Sequence, residues 1–269
     1  MAEYVLQTGK DGADRLDAVE GMFGAASRAF LVDVGLREGL RVLDVGCGTG
    51  TLTSWIARTV GERGHVTAAD ADATQLDIAR ENAVKMGLSN VEFTQARLGV
   101  DALPHARYDI VHCRLVLMHV ANVDAALREM VAAVRPGGLL VCEETSANSV
   151  FISPPCEPIS RMNELFRALG RSRGLDFDVG DKLFGLVTGH TSRLVGSRFV
   201  QPMVPLGAAR QFLELAAAEI KPALLASGMA TESDAAELLQ TLRSIREDAG
   251  SFYAPGRLAQ VAGVVEPLT

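Results

Sequence analysis

An acid followed by three glycines at alternate positions is the most chemically suggestive spacing in the chain: Asp44, Gly46, Gly48 and Gly50, within RVLDVGCGTG at residues 41–50. Glycine belongs where a backbone must turn sharply or let a ligand approach without a Cβ in the way. The free N–H groups at the start of a helix offer such a ligand a polar cradle. The acid narrows the choice of ligand. A dinucleotide would bring an anionic pyrophosphate to this turn, and Asp44 would repel it. An ammonium or sulfonium charge suits Asp44 better. The spacing also departs from G-x-G-x-x-G, because Gly50 comes one residue early. Both points weigh against a nicotinamide-dependent oxidoreductase.

The elements that must hold these residues follow from the hydrophobic pattern. The apolar run at residues 42–45 is predicted as a strand. Residues 51–60 read as a helix with Leu52, Trp55, Ile56 and Val60 on one face. The glycines therefore occupy a strand–turn–helix. Residues 65–70 form a second short strand ending in Asp70, twenty residues after Gly50. A βαβ unit places a ribose-binding carboxylate at this distance. The alternative is that Asp70 caps the helix from Asp72 onward. Further helices are predicted at residues 13–34, 73–86, 123–134, 159–171, 181–187, 208–226 and 233–246. The last is supported by a capping pattern from Thr231 to Asp234. Strands are predicted at 91–95, 108–113, 139–144, 195–204 and 258–265, with a turn at Arg135-Pro136-Gly137-Gly138.

VLDVGCGTG resembles the first motif of the class I S-adenosylmethionine-dependent methyltransferases. The resemblance continues through HVTAADAD, YDIVHCRLVLMHV and VRPGGLLVCEE. It covers Gly39 to about Glu144 well and the remainder by general layout, and it points toward small-molecule, ubiquinone/menaquinone-methyltransferase-like members. It implies an α/β fold: a doubly wound, Rossmann-like, seven-stranded and mostly parallel sheet with a helical cap. It also implies S-adenosyl-L-methionine as cofactor and methyl transfer to an O, N or C atom of a small, partly apolar metabolite. The alternative is a protein of this fold whose cofactor serves a non-methylating reaction or ligand binding only.

The same resemblance implies the site. Asp44, Gly46, Cys47, Gly48 and Gly50 would surround the cofactor at the first turn. Asp70 would hold the ribose with Ala71 beside it, and Gln75 would pack on the adenine. Where the family often has Gly-Asp-Ala after the third strand, with the acid on the adenine amino group, this chain has Ala96-Arg97-Leu98. Arg97 and Leu98 are still expected near the ring, Leu98 through its backbone N–H. The amino contact is left to a backbone carbonyl or to Asp101. Cys113, ending the fourth strand, completes the cofactor set. The N-terminal region folds over the cofactor in this family, so Tyr4 either lines the substrate site or is a surface tyrosine on the tail; Arg114 and Glu144 are further expected substrate-binding residues. His119 lies just past the fourth strand among Leu117, Met118 and Val120. A histidine titrating near neutrality there could accept a proton from the acceptor, or could instead bond a carbonyl and fix its loop.

The chain as a whole bounds these readings. Its 269 residues suit one methyltransferase domain. The expected division is a helical lid at 1–38, a cofactor-binding core at 39–149, a helical cap insertion at 150–193 and completion of the sheet at 194–269. The net charge of −7 and 5% aromatic content disfavour a nucleic-acid partner. Arg161, Arg167, Arg171 and Arg173 in the cap either attract an anionic substrate or form a solvated face. No apolar run is long enough to span a membrane, and residues 1–12 lack a signal-peptide core. Cys47, Cys113, Cys142 and Cys156 form no C-x-x-C pair and read as reduced thiols of a cytoplasmic protein. The five histidines lack metal-site spacing, and Glu143 with Glu144 does not by itself make a magnesium site. A small-molecule methyl acceptor in secondary metabolism is the expected partner, and homodimerisation is left open.

Overall fold

The computed structural model describes residues 10–205 and 208–266. A long helix, α1 (Lys10–Asp33), precedes an alternating run: β1 (Arg41–Val45), α2 (Thr51–Val60), β2 (His65–Asp70), α3 (Ala73–Lys85), β3 (Val91–Gln95), β4 (Tyr108–Arg114), α4 (Val123–Ala133) and β5 (Val134–Ser146). Then come β6 (Phe151–Ser153), α5 (Glu157–Ser172), α6 (Leu183–His190), β7 (Arg193–Val200), α7 (Phe212–Ala226), α8 (Glu232–Glu247), β8 (Phe252–Ala254) and β9 (Arg257–Val265).

Seven strands form one sheet in the order β3-β2-β1-β4-β5-β9-β7. The first five are parallel; β9 runs antiparallel to both β5 and β7. This is the doubly wound, mostly parallel fold expected from the sequence. Strand order reverses between β1 and β4, and open α/β sheets bind ligands at the carboxyl ends of such a switch point. The central strands β1 and β4 are buried along most of their length. Their nearly continuous apolar content follows from helices covering both faces.

Local chemistry sets the element ends. Gly50 begins α2 and Gly61 ends it, both at positive φ. Asp72 caps α3 by accepting from Gln75 N–H at 3.0 Å, and Thr231 with Asp234 forms a full capping box on α8. The predicted turn at 135–138 lies inside β5 as an irregularity. Pairing jumps from Tyr108–Val134 to Ile110–Leu139, with Gly137 at φ 77°.

The cap departs from its expected boundary of 150–193. In α6 the buried Leu183 and Val187 belong to a helix that packs on β5, β7 and β9, so α6 is a sheet-covering helix. The helices α7 and α8, expected only to complete the sheet, pack with α5, and α7 also packs on α1. Their buried residues (Leu213, Ala217, Ile220 and Leu224 on α7, Leu242 on α8) explain this docking. The cap is thus assembled from α1, α5, α7 and α8, with the small β6–β8 sheet beside them. The carboxyl-terminal part of α1 joins a second buried cluster, in which Phe30, Leu31 and Val34 meet Leu52 and Ile56 of α2.

Candidate functional site

A cavity of about 1070 Å³ opens where β1, β2 and β4 end, beneath α1, α5 and α7. It lies at the upper end of the usual range for small-ligand pockets, about 300–1,000 Å³.

The three glycines of the first turn all adopt left-handed φ: 71° at Gly46, 55° at Gly48 and 78° at Gly50. Their reasons differ. A Cβ on Gly46 would stand 2.2 Å from Val116 Cγ2, and one on Gly50 would stand 2.9 Å from Ala79 Cβ. These two glycines let the 114–120 segment and α3 approach. Gly50 is not part of the cavity wall, which corrects its expected place against the cofactor. Gly48 faces the cavity, and the nearest atom to a Cβ there is Leu16 Cδ1 of α1 at 3.5 Å. Cys47 lines the cavity too; burial, followed by the charges of Asp44 and Asp70, holds its thiol protonated.

Asp70 accepts from Gly48 N–H and from Asp72 N–H, both at 2.9 Å. The helix cap itself is Asp72. Burial raises the Asp70 pKa, and these two backbone bonds oppose the rise. Ala71, Gln75, Arg97 and Leu98 line the same end of the cavity. Gln75 is 4% exposed, and its Oε1 is buried without a hydrogen-bond partner. Asp101 accepts from Arg97 N–H at 2.8 Å, closes the 97–101 turn and lies off the wall, so it does not supply the missing adenine contact.

Asp44 lies at the cavity floor and is 3% exposed. Its Oδ1 is 2.9 Å from His112 Nδ1, and its Oδ2 accepts from Thr53 Oγ1 at 2.6 Å. The other ring nitrogen of His112 is 3.0 Å from Glu143 Oε1. Burial lowers the His112 pKa, but the bonds and charges of Asp44 and Glu143 outweigh it and bring it up to about 10. Glu143 Oε2 accepts from Ser27 Oγ of α1 at 2.7 Å and from Gln260 Nε2 of β9 at 2.5 Å. Arg114, which lines the cavity, donates to Glu20 Oε2 at 2.8 Å and Ser27 Oγ at 3.2 Å. A buried polar chain therefore runs from the glycine turn to α1. Thr53 and Ser27 were not singled out in the sequence, His112 lay unremarked within a quoted motif, and Glu143 was weighed only with Glu144 as an insufficient magnesium pair.

Two further expected positions are corrected, and one expected titration. Glu144 follows Glu143 in a strand, so it points to the opposite face. It is 0% exposed and off the cavity wall, where Oε1 accepts from Val116 N–H at 2.7 Å and Leu117 N–H at 2.6 Å. It anchors the loop in which Leu115 has φ 57°. Burial raises its pKa to about 8 against those backbone bonds. Cys113 is 0% exposed and paired in register with Cys142 in the core, away from the cavity. His119, in a single 3-10 turn at Leu117–His119, does line the cavity, with its ring edge-on to Phe177 at 5.8 Å between centroids. Burial and then the charge of Arg15 lower its pKa to about 3, so it does not titrate near neutrality.

Tyr4 lies outside the described residues. Arg161 and Arg167 pair with Glu164 and Asp178, and none of the four cap arginines lines the cavity. The cavity wall formed by α1, α5 and α7 instead includes Arg15, Val19, Met162, Phe166, Leu213 and Ile220. Sequence reading missed all six, because they converge from three distant segments.

The comparisons agree with this geometry. The family model described as a methyltransferase domain matches residues 36–176. The chain belongs to the class I S-adenosylmethionine-dependent methyltransferase family. It is 34% identical over 152 residues to the ubiquinone/menaquinone biosynthesis C-methyltransferase UbiE of Vibrio vulnificus (strain YJ016), covering 56% of each chain. It is 38% identical over 120 residues to that of Shewanella pealeana (strain ATCC 700345 / ANG-SQ1), covering 44% of this chain and 48% of the relative. The chain thus spans about half the length of the curated relatives it matches. Among solved structures, a putative methyltransferase from Bacillus halodurans C-125 superimposes with a TM-score of 0.60 at 18% identity, covering 88% of this chain and 98% of the other. The [4+2]-cyclase SpnF gives 0.54 at 20% identity, covering 99% and 85%. At these identities the likeness is one of fold.

S-adenosylmethionine is the family's cofactor, and the residues present fit it. The backbone at Gly48 is open to a close approach. The unpartnered Gln75 Oε1 suits a donor such as an amino group. Among the described residues, no helix is long and apolar enough to cross a membrane.

Proposed function

We propose that this protein transfers the methyl group of S-adenosylmethionine to a carbon atom of a small, largely apolar acceptor. The observation that carries this reading is the left-handed glycine turn, held by Asp70 at the sheet's switch point and opening into a cavity whose far wall is apolar. The choice of carbon follows the relatives, whose names describe C-methyltransferases.

The bound cofactor supplies a methyl group already activated by its sulfonium charge. Gly46 and Gly48 would present backbone to it, Asp70 would accept from the ribose, and Gln75, Arg97 and Leu98 would surround the adenine. Asp44 contributes a negative charge at the floor, moderated by the His112 imidazolium. The acceptor is chosen by α1, α5 and α7. Alignment of two molecules with water excluded supplies much of the acceleration in such a site. His119 stays neutral at physiological pH and orients the acceptor.

Calorimetric titration with S-adenosylmethionine, followed by incubation with cofactor labelled in the methyl group and a set of aromatic hydroquinones, tests this directly. Binding together with label appearing on a ring carbon supports the proposal. Binding with no transfer to any acceptor favours the reading in which the cofactor only organises the pocket. Absence of binding refutes both.

A further inference from the structure

Arg15 lines the cavity among apolar residues of α1 and α7, and its ion-pair partner Glu219 lies off the wall. Arg15 on α1 and Glu219 on α7 form a salt bridge, Nε to Oε2 at 2.8 Å, and each residue is 6% exposed. Arg15 lines the cavity, next to Leu16, Val19, Leu213 and Ile220.

Such a pair is a poor device for joining two helices. Removing both charges from water offsets most of their attraction, and apolar side chains of similar volume usually do as well. The two helices already share apolar packing: Val19 of α1 and Leu213, Ala217 and Ile220 of α7 belong to one buried cluster. The pair therefore calls for a reason other than adhesion. A guanidinium presents several donors in a rigid plane that matches a carboxylate or another oxyanion. Its charge also reaches the cavity interior, because it acts on His119, which lines the same cavity.

We propose that Arg15 is a specificity-determining residue that holds an anionic oxygen of the acceptor, with Glu219 orienting its guanidinium. The acceptor is then an apolar molecule bearing an oxyanion, either a carboxylate or an ionised hydroxyl. The inference rests on the reading of this cavity as the methyl-transfer site, and its test reads binding instead of turnover.

The experiment begins with the full chain saturated with S-adenosylhomocysteine. Failure to bind that compound would count against the proposed function itself. Calorimetry then compares 2-naphthoate with its neutral analogue 2-naphthamide. Wild type should bind 2-naphthoate at least about tenfold more tightly, a difference typical of one charge-assisted contact. Arg15→Met should abolish that preference while keeping S-adenosylhomocysteine affinity within about twofold, and Arg15→Lys should restore part of it. Glu219→Gln should strengthen 2-naphthoate binding, because the guanidinium loses its neutralising partner. Equal binding of the two probes by wild type would overturn the proposal. So would loss of 2-naphthoate affinity in Glu219→Gln, which identifies the pair as a structural tie between α1 and α7. If Arg15→Met fails to fold, the lysine variant and Glu219→Gln still decide between these outcomes.

Discussion

Asp44 and Glu143 share a single imidazole: each carboxylate meets a different nitrogen of His112, at 2.9 and 3.0 Å. A neutral imidazole has one donor and one acceptor, so two ionised carboxylates require the protonated ring. The acid that seemed suited to meet a sulfonium ion alone is therefore part of a cluster with its own internal cation.

Removing that cation should be costly. His112→Leu leaves two carboxylates buried without their common partner, and breaking a buried pair in this way costs on the order of 3–5 kcal/mol. Thermal denaturation should show a large drop in midpoint, partly recovered by adding Glu143→Gln. An unchanged midpoint in His112→Leu would show that the cluster carries no net charge pairing.

Stability should depend on pH in a way that three buried groups set. Glu144 is raised from 4.5 to about 8, so the folded state keeps a proton that the unfolded state releases. Its contribution falls as pH rises from about 4.5 through 8. His112, raised from 6.5 to about 10, stabilises fully below 6.5 and ceases to do so as pH passes 10. His119, lowered from 6.5 to about 3, acts in the opposite sense, and its effect costs stability as pH falls from 6.5 toward 3. Urea denaturation across pH 4 to 9 should show Glu144→Gln gaining on wild type as pH rises. Parallel curves for the two proteins would refute the assignment to Glu144.

The glycines of the first turn should fail differently. Gly50→Val pushes into Ala79 and forces a strained φ, and overpacking of this kind costs about 1–3 kcal/mol before the strain is added. Its melting temperature should fall. Gly48→Val carries the same backbone strain, at φ 55°, but meets only Leu16 at van der Waals distance, so it should add a loss of S-adenosylmethionine affinity to a smaller fall in stability. Calorimetry on the folded variant decides this, and wild-type affinity in Gly48→Val would contradict the placement of the cofactor.

His119→Ala should lower turnover by less than tenfold, below the roughly 10²–10⁴ contributed by a general base. The pH–rate profile between 6 and 8 should keep its shape, because the ring is already neutral there. A hundredfold loss, with disappearance of an acid limb near neutrality, would restore histidine as the base.

The glycine-turn end of the cavity was legible because its signals are local. The strand ending at Val45, the glycines and the strand ending at Asp70 lie within 30 residues, and the predicted strands at 65–70 and 91–95 match the observed ones. The acceptor half was not legible. Arg15 and Glu219 are 204 residues apart, and no spacing connects them. α6 and α7 both read as apolar helices, and only tertiary packing decides which covers the sheet and which covers the cavity. Glu143 and Glu144 looked equivalent as neighbours at a strand end, yet the pleat sends one into the His112 cluster and the other to the loop after β4.

The place of β9 in the sheet bears on the order in which the chain folds. β9 lies between β5 and β7, although β7 precedes it in the chain by the whole of α7 and α8. During synthesis the five parallel strands can assemble as they emerge. β7, by contrast, is made before the strand it pairs with, and its ladder hydrogen bonds form only with β9. The helices that close over the acceptor are therefore made while the sheet edge beneath them is still incomplete. Gln260 of β9 donates to Glu143, so the strand that joins β5 to β7 also supplies one hydrogen bond of the buried charge cluster.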